Sequence, residues 1–343
     1  MLAGAGTLLD ADVNGSILGD GWGLDHFLIA LADPGLVQSI YVAKLGFTAF
    51  AGGIKTPTGD QNAVIRLGPQ YIELIWFYDR QKAVLFGGKF SKQWLHTVDQ
   101  GGGPIGYVID VSPLEGAANE LRKRGMHVEL PPSRKILRDG KEVAPDYRFL
   151  EVSDTGKGQS PRGVPGGDAA GFIDYGTEFQ RRGLDPARTQ RHRDLAEKEF
   201  PDPRRRSGEV HPNTARRIRS AWVAVASIPE AIKQSEAFGL TGGRDVQSKT
   251  LGARGHEVPC GLGTVIFWES AKDEAPLATV IRSKGVGPFG VSVDVADLEL
   301  AHKIVSEGLK QELPFEDGGS RRSFFVPAEL TGGTWIEFGA QTR

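Results

Sequence analysis

Short apolar stretches of the chain recur in a fixed order, starting with a strand pattern that runs into a helix pattern. The first strand pattern covers residues 23–32, and the helix pattern after it covers residues 34–46. Three further strands are predicted at residues 47–53, 62–68 and 71–77. Short apolar runs bounded by glycine and other turn residues are typical of strands in a buried sheet. The first unit is therefore predicted to have the order βαβββ.

The same order is predicted three more times along the chain. The strand–helix starts of the later units lie at residues 106–125, 220–239 and 290–308. Middle strands are predicted at residues 126–130, 147–152 and 322–327, and last strands at residues 171–176, 264–270 and 334–339. The middle strands of the third unit cannot be separated by pattern. Internal repeats of this kind determine the whole architecture, so we predict four βαβββ units arranged as two pairs.

The repeat predicts the domain organisation, and a charged segment separates the two pairs. We expect an N-terminal extension (1–22), a first module pair (23–180, with modules at about 23–79 and 104–180), a charged linker (181–215) and a second pair (216–343, with modules at about 216–271 and 285–340). The linker is rich in arginine and also carries acidic residues. An RNA or anionic-ligand contact is one interpretation of it, but mixed charge favours a solvated linker.

Composition places the chain among ordinary globular proteins. It has 343 residues, of which 39% are hydrophobic and 24% charged, and its net charge of −2 indicates neither a nucleic-acid nor a membrane partner. No apolar run approaches the roughly 20 residues of a membrane helix, and the N-terminus lacks a secretory signal pattern, so we expect a cytoplasmic protein. The single cysteine, Cys260, excludes an internal disulfide and a thiolate-rich zinc site.

Two ionisable residues stand in the middle of apolar strand patterns, His26 in the first strand and Glu73 in the last strand of the first unit. Burying an unpaired carboxylate costs several kcal/mol, and a buried imidazole also needs a partner. A divalent metal ion would satisfy both groups. A direct hydrogen bond between them, or a polar cup without metal, would also account for the pattern.

Side-chain alternation predicts which neighbours share a face with these two residues. Every second residue of a strand points to the same side, so Asp25 is expected to point away from His26. The expected lining of an apolar pocket beside His26 and Glu73 is Leu24, Leu28, Tyr71, Ile75 and Phe77. Further aromatic wall is expected from Trp76 and Tyr107.

The repeat, together with "GLDHFLIALADP" at 23–34 and "YIELI" at 71–75, resembles the glyoxalase-like family of the vicinal oxygen chelate (glyoxalase/bleomycin resistance/dioxygenase) superfamily. The resemblance extends to "GG" at 52–53, "GDQN" at 59–62 and "HPN" at 211–213. It covers the rest of the chain only because the βαβββ order repeats there. It implies an α+β fold in which four βαβββ modules form two paired-module, cup-shaped mixed-sheet domains. It also implies a metal held by a His on a module's first strand and a Glu on its last.

The resemblance implies a set of metal ligands in the first half. His26 and Glu73 would bind a divalent ion (Zn²⁺, Mn²⁺, Fe²⁺ or Ni²⁺), Asp174 stands near the matching place of the second unit, and Gln61 stands where family members often carry His. Gly106, Ser220 and Gly290 align with His26, and Glu269 and Glu337 lie about where Glu73 does. The second half therefore has no first-strand His and resembles a degenerate copy. His211 would either close over the first cup as a general base or cap a helix together with Asn213.

The function implied by this resemblance is a metal-dependent lyase or isomerase acting on a small hydroxy/oxo or aromatic metabolite. One alternative is a metal-free protein that sequesters a hydrophobic small molecule. Another is a ring-cleaving dioxygenase, which is disfavoured because the second half lacks the two-His-one-carboxylate set. We expect a small-molecule substrate as the partner, with no nucleic acid and no membrane, and a chain that is a monomer or homodimer.

Overall fold

The structure is a computed structural model, and it describes residues 17–50, 55–130, 135–138, 140–145, 147–153, 170–175, 210–318 and 321–341. Residues 1–16 of the predicted N-terminal extension and residues 181–209 of the predicted linker lie outside the described residues. Within the described residues, no helix is long and apolar enough to cross a membrane.

The first half of the chain forms a mixed sheet. Its strands are β1 (Gly23–Ala30), β2 (Asp60–Leu67), β3 (Gln70–Phe77), β4 (Gly103–Asp110), β5 (His127–Glu129), β6 (Ile136–Arg138), β7 (Lys141–Val143), β8 (Arg148–Ser153) and β9 (Ala170–Asp174). Seven of them pair in the order β2-β3-β1-β4-β9-β8-β5, and β6 and β7 form a separate hairpin. The helices of this half are α1 (Arg80–Phe86), α2 (Gly88–Asp99) and α3 (Leu114–Lys123), with a short π-helical segment at Val37–Val42.

The second half forms a sheet of eight strands. They are β10 (Ala215–Ala224), β11 (Arg244–Ser248), β12 (Ala253–Cys260), β13 (Gly263–Ser270), β14 (Gly287–Val295), β15 (Phe315–Asp317), β16 (Arg321–Val326) and β17 (Trp335–Gln341). They pair in the order β11-β12-β13-β10-β14-β17-β16-β15. The helices are α4 (Ile228–Ala237), α5 (Pro276–Lys284) and α6 (Leu298–Leu309), with a 3₁₀ turn at Ala328–Leu330.

The pairing follows the predicted modules. The first strand of each module pairs in parallel with the last strand of the same module, as β1 does with β3 and β10 with β13. The first strands of paired modules then join antiparallel, β1 to β4 and β10 to β14. The α+β prediction of four βαβββ modules in two mixed sheets is confirmed.

Local sequence begins the module helices where the pattern predicts. The Ser227 side chain accepts the Glu230 backbone N–H at the start of α4, and Asp297 accepts that of Leu300 at the start of α6. Side chains of this type satisfy N–H groups that have no partner within the helix.

Three features differ from the pattern. The helix predicted at 34–46 is reduced to the π-helical segment, and the described part of the strand predicted at 47–53 makes one isolated bridge, between Phe50 and Val64. The helices α1, α2 and α5, which connect the modules of each pair, were not predicted. The middle strands of the third module, which the sequence pattern does not separate, are β11 and β12.

The two sheets share one hydrophobic core. Phe27 and Ile65 of the first half belong to the same buried cluster as Val223 and Phe338 of the second half. The Gln70 side chain connects the halves by donating to the Leu24 carbonyl (2.8 Å) and accepting the Ile218 backbone N–H (3.0 Å). Each sheet therefore uses one face for this common core and leaves its other face for a site of its own.

Candidate functional site

The bulge in β1 sets the orientation of the candidate site. Leu24 pairs with Ile109 of β4 and His26 with the next residue, Val108, so Asp25 is an extra residue in the ladder. Such a bulge reverses the side-chain alternation on one side of it. Asp25 and His26 consequently point to the same face of the sheet, and the prediction that Asp25 points away is wrong.

Asp25 is fully buried and holds His26 in place. One of its oxygens, Oδ2, lies 2.5 Å from His26 Nδ1 and also accepts the Tyr175 hydroxyl at 2.8 Å. Its other oxygen accepts the indole N–H of Trp22 at 2.9 Å. A carboxylate next to Nδ1 selects the imidazole tautomer with its proton there, which leaves the lone pair on Nε2.

The free nitrogen of His26 faces Glu73. His26 Nε2 lies 3.6 Å from Glu73 Oε2, too far for a hydrogen bond. The other oxygen of Glu73 accepts a short hydrogen bond from the side-chain amide of Asn62. His26 Nε2 and Glu73 Oε2, which both carry lone pairs, thus face each other. Asp25 holds the His26 ring, and Asn62 holds the Glu73 carboxylate.

A tyrosine pair completes the polar part of the site. The Tyr71 ring stacks on the His26 ring at a centroid distance of 4.3 Å, and the Tyr71 and Tyr175 hydroxyls are 3.1 Å apart. Burial, with the nearby Asp25 charge, raises the pKa of both tyrosines well above the ordinary value. Both hydroxyls therefore stay protonated near neutral pH. Tyr175 donates its proton to Asp25, so the Tyr71 hydroxyl is the donor of the bond to Tyr175.

The apolar part of the site agrees with the predicted alternation where no bulge intervenes. Leu28, Ile75 and Phe77 pack together, and the connecting helix α2 covers them with Trp94 and Val98. We call this face of the first sheet the first cup, and its principal side chains are His26, Leu28, Asn62, Tyr71, Glu73, Ile75 and Phe77.

Three residues predicted for the pocket wall lie elsewhere. Leu24 and Tyr107 belong to the common core, where Trp76 also packs, on the opposite face of the sheet from His26. Leu24 is displaced by the bulge, because it precedes Asp25. Tyr107 pairs with Phe27 and shares its orientation. These pocket assignments are wrong.

Two of the predicted ligands also face away from the first cup. Asp174 accepts the Leu114 backbone N–H at 3.0 Å and the Arg148 guanidinium at 3.3 Å, so its carboxylate caps α3. The next residue, Tyr175, is the one that reaches Asp25. Gln61 alternates with Asn62 along β2 and shares the orientation of Ala63, which lies in the common core.

The His211 side chain connects the start of the second half of the chain to the first half. It does not act as a base in the first cup. Its Nδ1 accepts the Thr48 backbone N–H at 2.9 Å, and its Nε2 lies 2.6 Å from the Arg66 carbonyl. Both nitrogens are occupied, and burial lowers the pKa of this imidazole. Asn213 donates to the Leu45 carbonyl at 2.8 Å, in the turn that follows the π-helical segment. His211 itself contacts Thr48 and the strand residue Arg66, so the alternative interpretation, in which His211 caps a helix, does not agree with its contacts either.

The second sheet fills the corresponding place differently. Glu337 stands opposite Ser292 as Glu73 stands opposite Leu28, but it lies 3.5 Å from the buried guanidinium of Arg321. Arg321 also contacts Asp294, which pairs with Arg217 at 2.6 Å. Positive side chains therefore neutralise the acids of this half.

The other second-half candidates are also engaged. Glu269 accepts the Ile228 backbone N–H at 3.0 Å and Arg254 at 2.7 Å. Ser220 is buried and accepts the Trp222 indole N–H at 3.0 Å. No imidazole stands at the position equivalent to His26.

The donor atoms of the first cup fit a divalent metal ion in chemistry and spacing, but they are few. Imidazole nitrogen and carboxylate oxygen bind such an ion at about 2.0–2.2 Å, so two ligands of one ion are at most about 4.4 Å apart. His26 Nε2 and Glu73 Oε2 meet this condition at 3.6 Å. No group of three or more His, Cys, Asp or Glu suited to a metal occurs in the described part of the chain.

Sequence reasoning missed three polar residues of the site. Asp25 was assigned to the wrong face, and Trp22 and Tyr175 were not considered. The adjacent acid and imidazole at positions 25 and 26 were the available signal, because two polar neighbours in an apolar strand indicate a break in alternation.

Comparisons with known proteins agree with this architecture. A hypothetical protein from Staphylococcus aureus has a TM-score of 0.54 and 13% identity, covering 92% of this chain and 98% of the other. A mutant 4-hydroxymandelate synthase from Streptomyces coelicolor has a TM-score of 0.57 and 11% identity, covering 94% and 93% of the two chains. At these identities the likeness concerns the fold alone. No protein of curated function matches the chain.

A family comparison matches residues 24–239 to the glyoxalase-like domain. This region contains β1, with Asp25 and His26, and β3, with Glu73, and it extends through α4 of the third module. It covers more than half of the chain. The chain therefore belongs to the glyoxalase-like domain family.

Proposed function

We propose that the first cup is the active site of a metal-dependent lyase or isomerase acting on a small hydroxy- or oxo-substituted compound. His26 Nε2 and Glu73 would hold the ion, and the apolar wall of Leu28, Ile75 and Phe77 would receive the carbon skeleton of the substrate. This proposal keeps the ligand pair expected from the sequence and omits Asp174, Gln61 and His211, whose side chains are engaged elsewhere.

The observation that carries the proposal is the approach of two lone-pair atoms in a mostly buried place. His26 Nε2 and Glu73 Oε2 are 3.6 Å apart without a proton donor between them in the described contacts. Asp25 and Asn62 hold the two side chains from behind. Carboxylates and amides that orient ligands in this way are common around metal sites.

A divalent ion held by this pair would polarise the neighbouring oxygens of a substrate and stabilise the negative charge that develops on them. With two protein ligands, coordination positions would remain for a bidentate substrate. Glu73 is the carboxylate closest to such a substrate and is the candidate proton acceptor. The Tyr71 and Tyr175 hydroxyls remain protonated, and because their protons point to Tyr175 and to Asp25 respectively, they would help to hold Asp25 and therefore His26.

The ligand count favours a second candidate, a metal-free binding protein that sequesters a hydrophobic small molecule. The described residues contain no three-ligand cluster. In that case His26 and Glu73 would be polar contacts in an otherwise apolar cavity. A ring-cleaving dioxygenase is less well supported. The corresponding face of the second sheet, which we call the second cup and which includes Ser220, Gly290 and Glu337, carries Arg321 beside Glu337 and has no His in the place of His26.

Metal content of the purified protein decides between the two candidates. The protein is purified without chelator, reconstituted with Zn²⁺, Mn²⁺, Fe²⁺ or Ni²⁺ and analysed by mass spectrometry. The same is done for His26→Ala and Glu73→Ala, with Gln61→Ala as the matched control, because Gln61 neighbours Asn62 but faces the other way. We expect close to one ion per chain in the wild type and the control, and loss in both ligand variants.

Circular dichroism and thermal unfolding show whether the variants keep their fold. An ion that binds only the folded state raises the melting temperature, so the wild type should gain thermal stability with metal and the ligand variants should not. Wild-type protein that takes up no metal after reconstitution would overturn the metalloenzyme proposal and leave the binding protein. We propose a small molecule as partner, with neither nucleic acid nor membrane, and a monomer or homodimer in the cytoplasm.

A further inference from the structure

A second cavity lies in the other half of the molecule, outside the first cup. It has a volume of about 270 Å³ and is bounded by α5, the start of β14 and the turn before β17. Val280 and Ser283 of α5, Phe289 and Trp335 line it, and so does the exposed acidic side chain of Glu329. This volume is slightly below the range of about 300–1,000 Å³ typical of small-molecule sites, so it suits a molecule of about one ring.

The inner wall of this cavity is rigid and aromatic. Phe289 and Trp335 belong to a buried cluster with Trp222, Trp268 and Phe325. The Trp222 ring lies 5.7 Å from the rings of Phe289 and Phe325. Interlocked rings present a fixed apolar surface, which favours a flat hydrophobic ligand.

A single cation stands at the end of the cavity. Lys284, at the end of α5, donates from Nζ to the Gly102 carbonyl at 2.8 Å and to the Gly333 carbonyl at 3.3 Å. An ammonium has three N–H donors, so one remains. Burial lowers the pKa of Lys284, and it forms no ion pair with a carboxylate of the described residues. A partly buried cation without a counter-ion favours an anionic ligand.

We propose that this cavity binds a small monocarboxylate with a flat apolar body, whose carboxylate contacts Lys284 and whose ring lies against Phe289 and Trp335. A single negative charge fits better than a phosphate, since Lys284 has one remaining donor while the carbonyl end of α5 and the Glu329 carboxylate both oppose further negative charge. Because Lys284 also contacts Gly102 of the first half, an occupied cavity would strengthen the contact between the halves. The proposal does not depend on metal or on the first cup.

Benzoate is the probe, with benzamide as the neutral molecule of nearly the same shape. Binding to the full-length protein is measured by isothermal titration calorimetry, and its location by chemical-shift changes of the Trp335 indole, assigned with Trp335→Phe. We expect benzoate to bind and benzamide to bind at least about tenfold more weakly, because its neutral amide oxygen accepts a weaker hydrogen bond from the Lys284 ammonium than a carboxylate does.

Two variants test the site from different sides. Lys284→Met should weaken benzoate binding by about tenfold or more, while Lys272→Met, an exposed lysine just before α5, should leave it unchanged. Ser283→Phe keeps Lys284 and fills the cavity from the exposed side of the helix, so it should also block binding even if Lys284→Met is unstable. His26→Ala should bind benzoate as the wild type does.

Three results would overturn the proposal. They are no benzoate binding to the wild type, equal affinity for benzamide, or binding that persists in a folded Ser283→Phe variant. Loss of binding in His26→Ala would also overturn it by assigning benzoate to the first cup. Failure of the metal experiment at His26 and Glu73 would leave this second site unaffected.

Discussion

Asp25 is the residue on which the orientation of His26 depends. It accepts three hydrogen bonds, from Trp22, Tyr175 and His26, and it has no exposed surface. An Asn side chain has the same shape but offers one acceptor oxygen, so at least one of these donors would face an amide N–H. The tautomer of His26 would then no longer be fixed.

We predict that Asp25→Asn lowers the affinity of the first cup for Zn²⁺ or Mn²⁺ by about 10–100-fold, the usual effect of losing such an orienting partner. Tyr175→Phe removes one donor and keeps the carboxylate, so it should have a smaller effect. The measurement is a metal titration of each variant, with circular dichroism as the check on the fold. Wild-type affinity in folded Asp25→Asn would show that Asp25 does not position the ligand.

The burial of His211 leads us to predict that the free energy of unfolding depends on pH. Burial lowers its pKa in the folded state below the ordinary value of 6.5, while the unfolded chain keeps that value. Below pH 6.5 the unfolded chain therefore binds more protons, and the free energy of unfolding falls as pH decreases. The contribution of neutral His211 to the free energy of unfolding is fully present above about pH 6.5. It is lost progressively below that pH, by at most about 1.4 kcal/mol per pH unit.

Urea unfolding at pH 7.5 and 5.5 tests this. His211→Gln should be less stable than the wild type at pH 7.5 because it loses buried hydrogen bonds, but it should lose less stability on acidification. His127→Gln is the control, since the His127 side chain is exposed and, among the described residues, hydrogen-bonds only to the exposed Glu129. Equal losses in the wild type and in His211→Gln would contradict the prediction.

At the scale of single elements, the apolar patterns predict which strands exist and their order along the chain better than they predict the sheet face to which each side chain points. The first and last strands of all four modules were predicted, because buried strands have continuous apolar runs bounded by turns. The shared face of Tyr71, Glu73 and Ile75 in β3 is predicted correctly, because no bulge interrupts the alternation, whereas the expectation that Trp76 lines the same wall is wrong. It failed in β1 because a bulge depends on pairing with β4, which is a property of two strands.

The connecting helices were missed for a related reason. α1 is short, and only one residue, Gly87, separates it from α2. They are positioned by packing over the cups, as α2 does with Trp94 and Val98. Contacts of this kind are formed by the folded sheet and are not visible in a local window of sequence.

Gly290 of β14 illustrates how closely the second cup is packed. A Cβ atom at this position would lie 2.7 Å from the Trp222 ring and 2.8 Å from the Trp335 carbonyl. We predict that Gly290→Ala lowers the free energy of unfolding by about 1–3 kcal/mol, the usual cost of overpacking. The same crowding indicates that a His introduced there would not recreate the first-cup site.

Gly116→Ala is the matched control for chemical unfolding experiments. Gly116 is exposed within α3, where a Cβ would meet only Pro113 at 3.4 Å, an ordinary contact. Alanine should stabilise this helix by up to about 1 kcal/mol. We expect Gly290→Ala to lower the free energy of unfolding and Gly116→Ala to raise it. An unchanged free energy of unfolding in Gly290→Ala would contradict the packing argument.

At the scale of the whole molecule, two sheets of the same topology have diverged in the chemistry of their cups. The first cup keeps His26 and Glu73 with unshared lone pairs, whereas in the second Arg321 neutralises Glu337 and Asp294. Sequence alignment of the modules predicted this asymmetry, because Ser220 and Gly290 replace His. It did not predict the partner of Glu337, since Arg321 lies on a different strand and is brought there only by the fold.

The common core predicts that the two halves unfold together. Gln70 lies within it, nearly without exposed surface, and its side chain bonds one backbone group of each half: the Leu24 carbonyl beside the bulge and the Ile218 N–H of β10. Gln70→Leu keeps a side chain of similar size and removes this partner from both groups in a dry environment. Each such group costs about 1–3 kcal/mol, so we predict a loss of about 2–4 kcal/mol in the free energy of unfolding.

Differential scanning calorimetry of Gln70→Leu, beside Gln247→Leu on the exposed edge strand β11, measures both the loss and its reach through the molecule. Because the shared core couples the sheets, the wild type should unfold in one transition, and Gln70→Leu should move that whole transition to lower temperature. Gln247→Leu should move it little. Two separated transitions, with Gln70→Leu shifting only one, would mean that each half is stable alone and that the shared core does not couple them. A single shifted transition would also imply that metal bound in the first cup stabilises the second sheet, because ligand binding to one part of a cooperative unit raises the stability of the whole unit.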